Sequence, residues 1–103
     1  MHRMFTWLNK QGVESDRGFA VQVLGRFTIE YREGTRRISV EVEPGMKDGV
    51  SPCFLIEPTA FQRWDGDPEG MALSQERQQT IASNFREAME FMAVSVVVEP
   101  RFP

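Results

Sequence analysis

The stretch from Ser74 to Met92 constrains the fold most, because it alone is long and periodic enough to specify an amphipathic helix. Ile81, Phe85, Ala88, Met89 and Met92 recur at the i, i+4, i+7, i+8, i+11 spacing that stacks side chains along one helical face. Glu76, Gln79, Ser83, Glu87 and Glu90 fall opposite, so water is expected on one side and an apolar layer on the other. Ser74 is the expected N-cap, worth about 1 kcal/mol; Arg77 at the third helical position means the reciprocal capping box is absent. Burial of the five apolar residues contributes roughly 10 kcal/mol gross, most of which backbone ordering cancels. Such a helix is marginal alone and needs a sheet to cover.

The sheet is visible upstream as a change of period from 3.6 to two. Phe19, Val21 and Val23 point one way, then Phe27, Ile29 and Tyr31, then Ile38, Val40 and Val42. A two-residue loop at Glu33-Gly34 would place Ile29 opposite Ile38 and Phe27 opposite Val40, with Glu30 facing Arg37 and Thr28 facing Ser39 behind them. For the preceding hairpin, a loop of Leu24 to Arg26 matches Val21 with Ile29 and Phe19 with Tyr31, better than a shorter loop at Leu24-Gly25. Pro44 to Pro52 reads as a surface loop, Cys53 to Glu57 as a fourth, buried strand, and Val94 to Glu99 as a final β-branched strand. Met4 to Leu8 fits either a strand or a docked arm, and Asn9 to Gly18 carries turn chemistry. The expected architecture is α+β: an antiparallel meander of about four strands, one long helix packed across it, then a last strand, in two layers. The other sheet face, with Gln22, Thr28, Glu30, Arg37, Ser39 and Glu41, is polar enough to stay in water.

At 103 residues there is room for one domain, residues 1–103, with 1–18 a candidate N-terminal arm. A composition of 41% hydrophobic and 26% charged residues places the chain among ordinary globular proteins rather than disordered or membrane-embedded ones. The formal charge of -3 provides no basic patch for a phosphate backbone, so nucleic acid is not expected as a partner. The first residues carry no apolar run of signal-peptide length and no stretch is long enough to span a membrane, so the expected location is cytoplasmic, with no membrane partner. The single cysteine, Cys53, permits no internal disulfide and fits a reducing compartment.

Candidate chemistry is sparse. The carboxylates Asp65, Asp67, Glu69 and Glu76 superpose on calcium-loop spacing, with Gly70 at the turn position. Yet Pro68 interrupts the loop, Leu73 stands where an oxygen ligand belongs, and Pro58 leaves no room for a full preceding helix. The pattern therefore reads as an acidic turn ahead of a helix N-terminus, where the dipole favours negative charge, and no metal is expected. Cys53 has no histidine to pair with except His2, so it reads as a small buried hydrophobe rather than a nucleophile. The acids Glu30, Glu41 and Glu43 alternate on the wet sheet face and do not form a catalytic pair. No glycine cluster opens the helix to cradle a phosphate. No catalytic residue and no cofactor are expected.

What remains is a set of large apolar residues outside the regular core: Trp7, Met46, Phe61, Trp64, Met71, Phe91 and Phe102. Aromatic residues and Met are enriched at the buried centres of interfaces, and loops on a rigid scaffold display them. Trp64 with Asp65, Asp67 and Glu69 is the expected partner contact, an aromatic anchor ringed by acids. The competing reading is that Phe61, Trp64 and Met71 fold back to close the open end of the helix-sheet layer. The function expected is thus non-catalytic protein binding, against the alternative of a small ligand-binding domain or enzyme with a pocket between helix and sheet.

From Gly25 through Met89 the chain resembles the small immunity proteins encoded beside bacterial polymorphic toxins. The resemblance rests on Phe27-Thr28-Ile29-Glu30-Tyr31 and Ile38-Ser39-Val40-Glu41 as a hairpin, then Trp64 and Pro68 ahead of Glu76-Arg77-Gln78-Gln79-Thr80-Ile81 opening the helix. It implies an inhibitor that occludes a cognate toxin by surface complementarity, with no catalytic residues of its own.

Overall fold

The computed structural model describes residues 5–47, 49–66 and 72–98. It is α+β: a five-stranded antiparallel sheet, one helix packed on it, and a second, three-stranded sheet that contains the final strand. The large sheet is a meander of β1 (Phe5–Asn9), β2 (Gly12–Ser15), β3 (Ala20–Val23), β4 (Thr28–Glu33) and β5 (Arg36–Glu41) in spatial order. The small sheet holds β6 (Glu43–Lys47), β7 (Ser51–Ile56) and β8 (Val96–Val98), with β6 antiparallel and β8 parallel to β7. Between β7 and β8 runs α1 (Gln75–Phe91).

Within the candidate arm, the described residues 5–18 do not stand apart from the sheet. Phe5 faces Ser15 and Trp7 faces Val13, so β1 and β2 extend the meander by two strands. Val13 and Ser15 alternate onto the buried face, a period of two too short to stand out among Asn9, Gly12, Asp16 and Gly18. Both hairpin registers differ from expectation by two residues. The second hairpin turns at Gly34-Thr35, placing Ile29 opposite Val40, Tyr31 opposite Ile38 and Glu33 opposite Arg36. Gly34 has φ +62, which suits glycine at the first position of a two-residue hairpin loop and adds one more rung to the ladder. The cost is that Arg32 faces Arg37 directly; the Glu30 carboxylate sits between them, 3.6 Å from one guanidinium and 3.7 Å from the other. That enclosure buries Glu30, expected to be in water.

In the first hairpin Val21 faces Tyr31 and Val23 faces Ile29, and the Leu24 N–H donates to the Thr28 carbonyl at 3.0 Å. The loop is therefore Gly25 to Phe27, and Phe27 leaves the core to stand 48% exposed. A slip of two residues preserves which side chains share a face, so the rest of the apolar set stays inside. Pro44 to Pro52 is not a loop but most of a hairpin, with Pro44 paired to Phe54 and Met46 to Pro52. Pro44 lies on an edge strand and Pro52 near a strand start, places where a missing N–H is tolerated. The strand expected at Cys53 to Glu57 belongs to this second sheet rather than to the meander.

Ser74 caps α1 as expected: its Oγ accepts from the Arg77 N–H at 3.1 Å. Ile81, Phe85, Ala88 and Met89 are buried and join Val13, Phe19, Val21, Ile29, Tyr31, Ile38 and Val40 of the sheet in one core, which Val42, Ile56 and Phe61 close at one side. The helix ends in a left-handed residue, Ala93 at φ 63, with the Val94 N–H on the Met89 carbonyl at 2.8 Å and the Ala93 N–H on the Glu90 carbonyl at 2.9 Å. Among the described residues no helix is long and apolar enough to cross a membrane.

Candidate functional site

Three surfaces stand out on the folded chain. The first is the connection between β7 and α1. Phe61 is buried with its ring centroid 5.4 Å from that of Phe85, and Trp64 is partly buried, stacked on Tyr31 at 6.4 Å with the planes 21° apart. The ends of this connection are drawn together where the Leu73 N–H donates to the Gln62 carbonyl at 2.8 Å. Asp65 is tied to β5: its carboxylate accepts from the Ser39 N–H at 2.9 Å and from the Ser39 hydroxyl, and its own N–H donates to the Arg37 carbonyl at 2.7 Å. Trp64 and Asp65 are thus each already engaged within the fold. Asp67, Glu69 and Met71 lie outside the described residues, as do His2 and Phe102.

Beneath Trp64 lies a polar network at the helix-sheet seam. The Tyr31 hydroxyl donates to Glu33 and accepts from Asn84 Nδ2 at 3.1 Å, while Arg77 holds Glu33 in an ion pair. Burial, and then the hydrogen bond to Glu33, push the Tyr31 phenol well above the ordinary tyrosine range. With no exposed surface, this side chain meets the carboxylate and the amide rather than solvent. The network satisfies a buried hydroxyl and fixes helix against sheet. Cys53 is buried on β7, as expected of a small hydrophobe. Among the described residues no group of three or more His, Cys, Asp or Glu side chains gathers closely enough to hold a metal ion.

The second surface is aromatic. Phe5 and Trp7 alternate onto the helix side of β1, and Phe91 ends the last turn of α1, so the three rings meet at the sheet edge. Centroids lie 5.1 Å apart for Phe5 and Phe91 and 5.6 Å for Trp7 and Phe91; Phe5 also packs edge-on against Phe19. Phe5 anchors the array to the core, while Trp7 and Phe91 remain 48% and 43% exposed. Beside them Leu8 is also exposed, and β1 forms the outer edge of the meander without a charged residue or proline. Residue type alone singles out Trp7 and Phe91; their juxtaposition depends on the pairing of β1 with β2.

The third surface lies where the two sheets part. Thr28 and Glu41 form the last rung between β4 and β5, and one residue further the Val42 N–H donates to the Phe27 carbonyl at 2.9 Å. The chain then turns into β6, leaving an open cleft of about 440 Å³ lined by Phe27, Thr28, Glu41, Val42, Glu43 and Pro44. Phe27 was missed as a surface residue because its place depends on the length of the preceding loop.

With this geometry in view, comparison with known proteins finds no family model, no curated protein and no solved structure that matches the chain.

Proposed function

We propose that this is a non-catalytic domain that binds a protein partner stoichiometrically, with a cytoplasmic inhibitor of the immunity type as the form the sequence resemblance implies. The observation that carries the reading is the Phe5-Trp7-Phe91 array: three rings in contact, one rooted in the core and two open to solvent. A pre-packed Trp loses little side-chain freedom on binding, and such residues dominate interface energetics. Support also comes from Tyr31, whose phenol is pushed above its ordinary range yet is enclosed in the helix-sheet seam rather than open to a cleft.

A second contact is the turn carrying Trp64, Asp65, Asp67 and Glu69. It is favoured by Trp64 keeping part of its surface open while Tyr31 already holds its ring.

The test is affinity capture from the source lysate, followed by reconstitution of the captured protein with wild type, Trp7→Ala and Trp64→Ala. A 1:1 complex whose dissociation quickens by an amount equal to about 2 kcal/mol in Trp7→Ala, with unchanged circular dichroism, is the expected result. Failure to retain any partner, or equal retention by both variants and wild type, would remove the reading.

A further inference from the structure

We propose that two copies of this chain pair through β1, edge to edge and antiparallel, so that their meanders run on as one sheet. The inference goes beyond the binding reading: it concerns the free chain, and a protein that takes the aromatic array would displace the second copy.

Backbone bonds fix which way the edge faces. The Ser15 N–H donates to the Phe19 carbonyl at 2.7 Å and the Val23 N–H to the Gln11 carbonyl at 2.9 Å, so Gln11, Val13 and Ser15 turn their polar backbone groups towards β3. Gly12 and Glu14 turn theirs towards β1, where Glu14 meets Thr6. Thr6 therefore bonds inward, while the N–H and carbonyl of Phe5 and of Trp7 face away from β2. Among the described residues no strand pairs with that side. The opposite edge of the meander is protected: β5 carries Arg36, Arg37 and Glu41, and Asp65 binds Ser39 and Arg37 across it.

The sequence of β1 selects its own occupant. Outward N–H and carbonyl groups call for an extended strand, and the open rings of Trp7 and Phe91 call for apolar side chains at its alternate positions. Phe5-Thr6-Trp7 is itself apolar, polar, apolar, and with Thr6 on a two-fold axis it matches itself rung for rung. Phe5 then stands opposite Trp7 of the second copy, and Trp7 opposite Phe5 of the second copy, each pair exchanging two backbone hydrogen bonds on the face that Phe91 covers. Thr6 meets Thr6 on the other face. Aromatic pairs and threonine pairs directly across a ladder are both favourable. This register uses the regular part of the strand, whereas an axis at Trp7 would bring the irregularity between Trp7 and Asn9 into the ladder. Phe5–Asn9 holds no charged residue, so like meets like without repulsion along the seam. The Glu14 carboxylates of the two copies lie three strand spacings apart, about 14 Å, beyond the screening length at physiological salt.

Sedimentation equilibrium of the full chain up to about 1 mM should show a reversible association that stops at the dimer, because an isologous pairing closes on itself. In amide exchange, protection of the Phe5 and Trp7 N–H groups should rise with protein concentration well beyond that of Thr6, which already bonds to β2. Thr6 is exposed in the single chain, so Thr6→Lys should leave circular dichroism unchanged. It sets like charges across the axis and should weaken the dimer by about tenfold or more at about 20 mM salt. Thr6→Glu should do the same, and an equimolar mixture of the two variants should recover a mixed dimer. Four outcomes overturn the inference: a chain monomeric throughout, growth past the dimer, a dimer indifferent to Thr6→Lys, and variants that fail to pair with each other. A monomeric chain would leave the Phe5-Trp7-Phe91 array open, and the binding reading would still be decided by its own experiment with a captured protein.

Discussion

Asp65 closes the outer edge of β5 by pairing with Ser39 much as a sixth strand would: its carboxylate takes the Ser39 N–H at 2.9 Å while its own N–H meets the carbonyl two residues back, on Arg37. An unpaired strand edge invites association, and one side chain here blunts it. Asp65→Ala should lower stability by about 1 kcal/mol, speed amide exchange at Ser39 above that of its neighbours, and make the protein prone to concentration-dependent association. Urea titration, exchange rates and sedimentation report these separately. Unchanged exchange at Ser39 would mean that the edge is held by something else.

The helix faces offer a sharper contrast. Ile81 has no exposed surface and Gln79 lies on the wet side, so Ile81→Asp buries an uncompensated charge and should abolish the cooperative unfolding transition. Gln79→Asp should change the urea midpoint by less than about 0.5 kcal/mol equivalent. Equal effects would reverse the assignment of faces.

Ala93 occupies a left-handed conformation that glycine normally takes at a helix C-terminus. Relief of the Cβ strain outweighs the added freedom of the unfolded chain, so Ala93→Gly should stabilise by about 0.5 to 1 kcal/mol. Thermal denaturation of the variant checks the sign; a lower melting temperature contradicts the strain argument.

Tyr31 sets a pH limit. Its folded pKa is raised, so the folded state holds the phenolic proton more tightly than the unfolded chain does. The resulting stability is complete below about pH 10 and declines by up to about 1.4 kcal/mol per pH unit as the pH rises from there towards the folded value. Tyr31→Phe removes the hydroxyl bound by Asn84 and by Glu33, which keeps its ion pair with Arg77, and should cost about 1 kcal/mol at pH 8, yet it escapes the alkaline decline. The difference from wild type should therefore shrink between pH 9 and pH 11 in urea titrations. Parallel curves would refute the linkage.

Side-chain periodicity carried the layer order well. Ile81, Phe85, Ala88 and Met89 face inward and Ser74 caps the helix because both depend on local spacing. The hairpins were legible as faces but not as partners: a two-residue slip leaves Ile29, Tyr31, Ile38 and Val40 buried whichever rung they occupy. What decided the register was backbone, chiefly the positive φ of Gly34, which hydrophobic matching does not weigh. β6 was hidden by Pro44 and Gly45, residues that read as loop unless the strand is known to lie at an edge. Gly45 fits there because a Cβ would come within 2.8 Å of Leu55 Cγ. For the site, Trp64 stacks on Tyr31 and Asp65 binds Ser39, and the inward fold of Phe61 was one of the two readings weighed for that connection. Contact between Trp7 and Phe91 spans nearly the whole chain, and no local pattern reports such a meeting.

The parallel pairing of β7 with β8 sets an order of assembly. Every rung of the meander, and the β6-β7 hairpin, joins strands close in sequence, so these pairs form from short loops. β8 must wait, because Phe54 and Val96 meet only after about forty intervening residues, the whole of α1 among them, have been laid down. A three-residue strand that arrives last, on backbone bonds to a single neighbour, is also the first to let go. In native-state exchange, Val96 to Val98 should therefore form the lowest step of the ladder, opening while helix and meander stay shut.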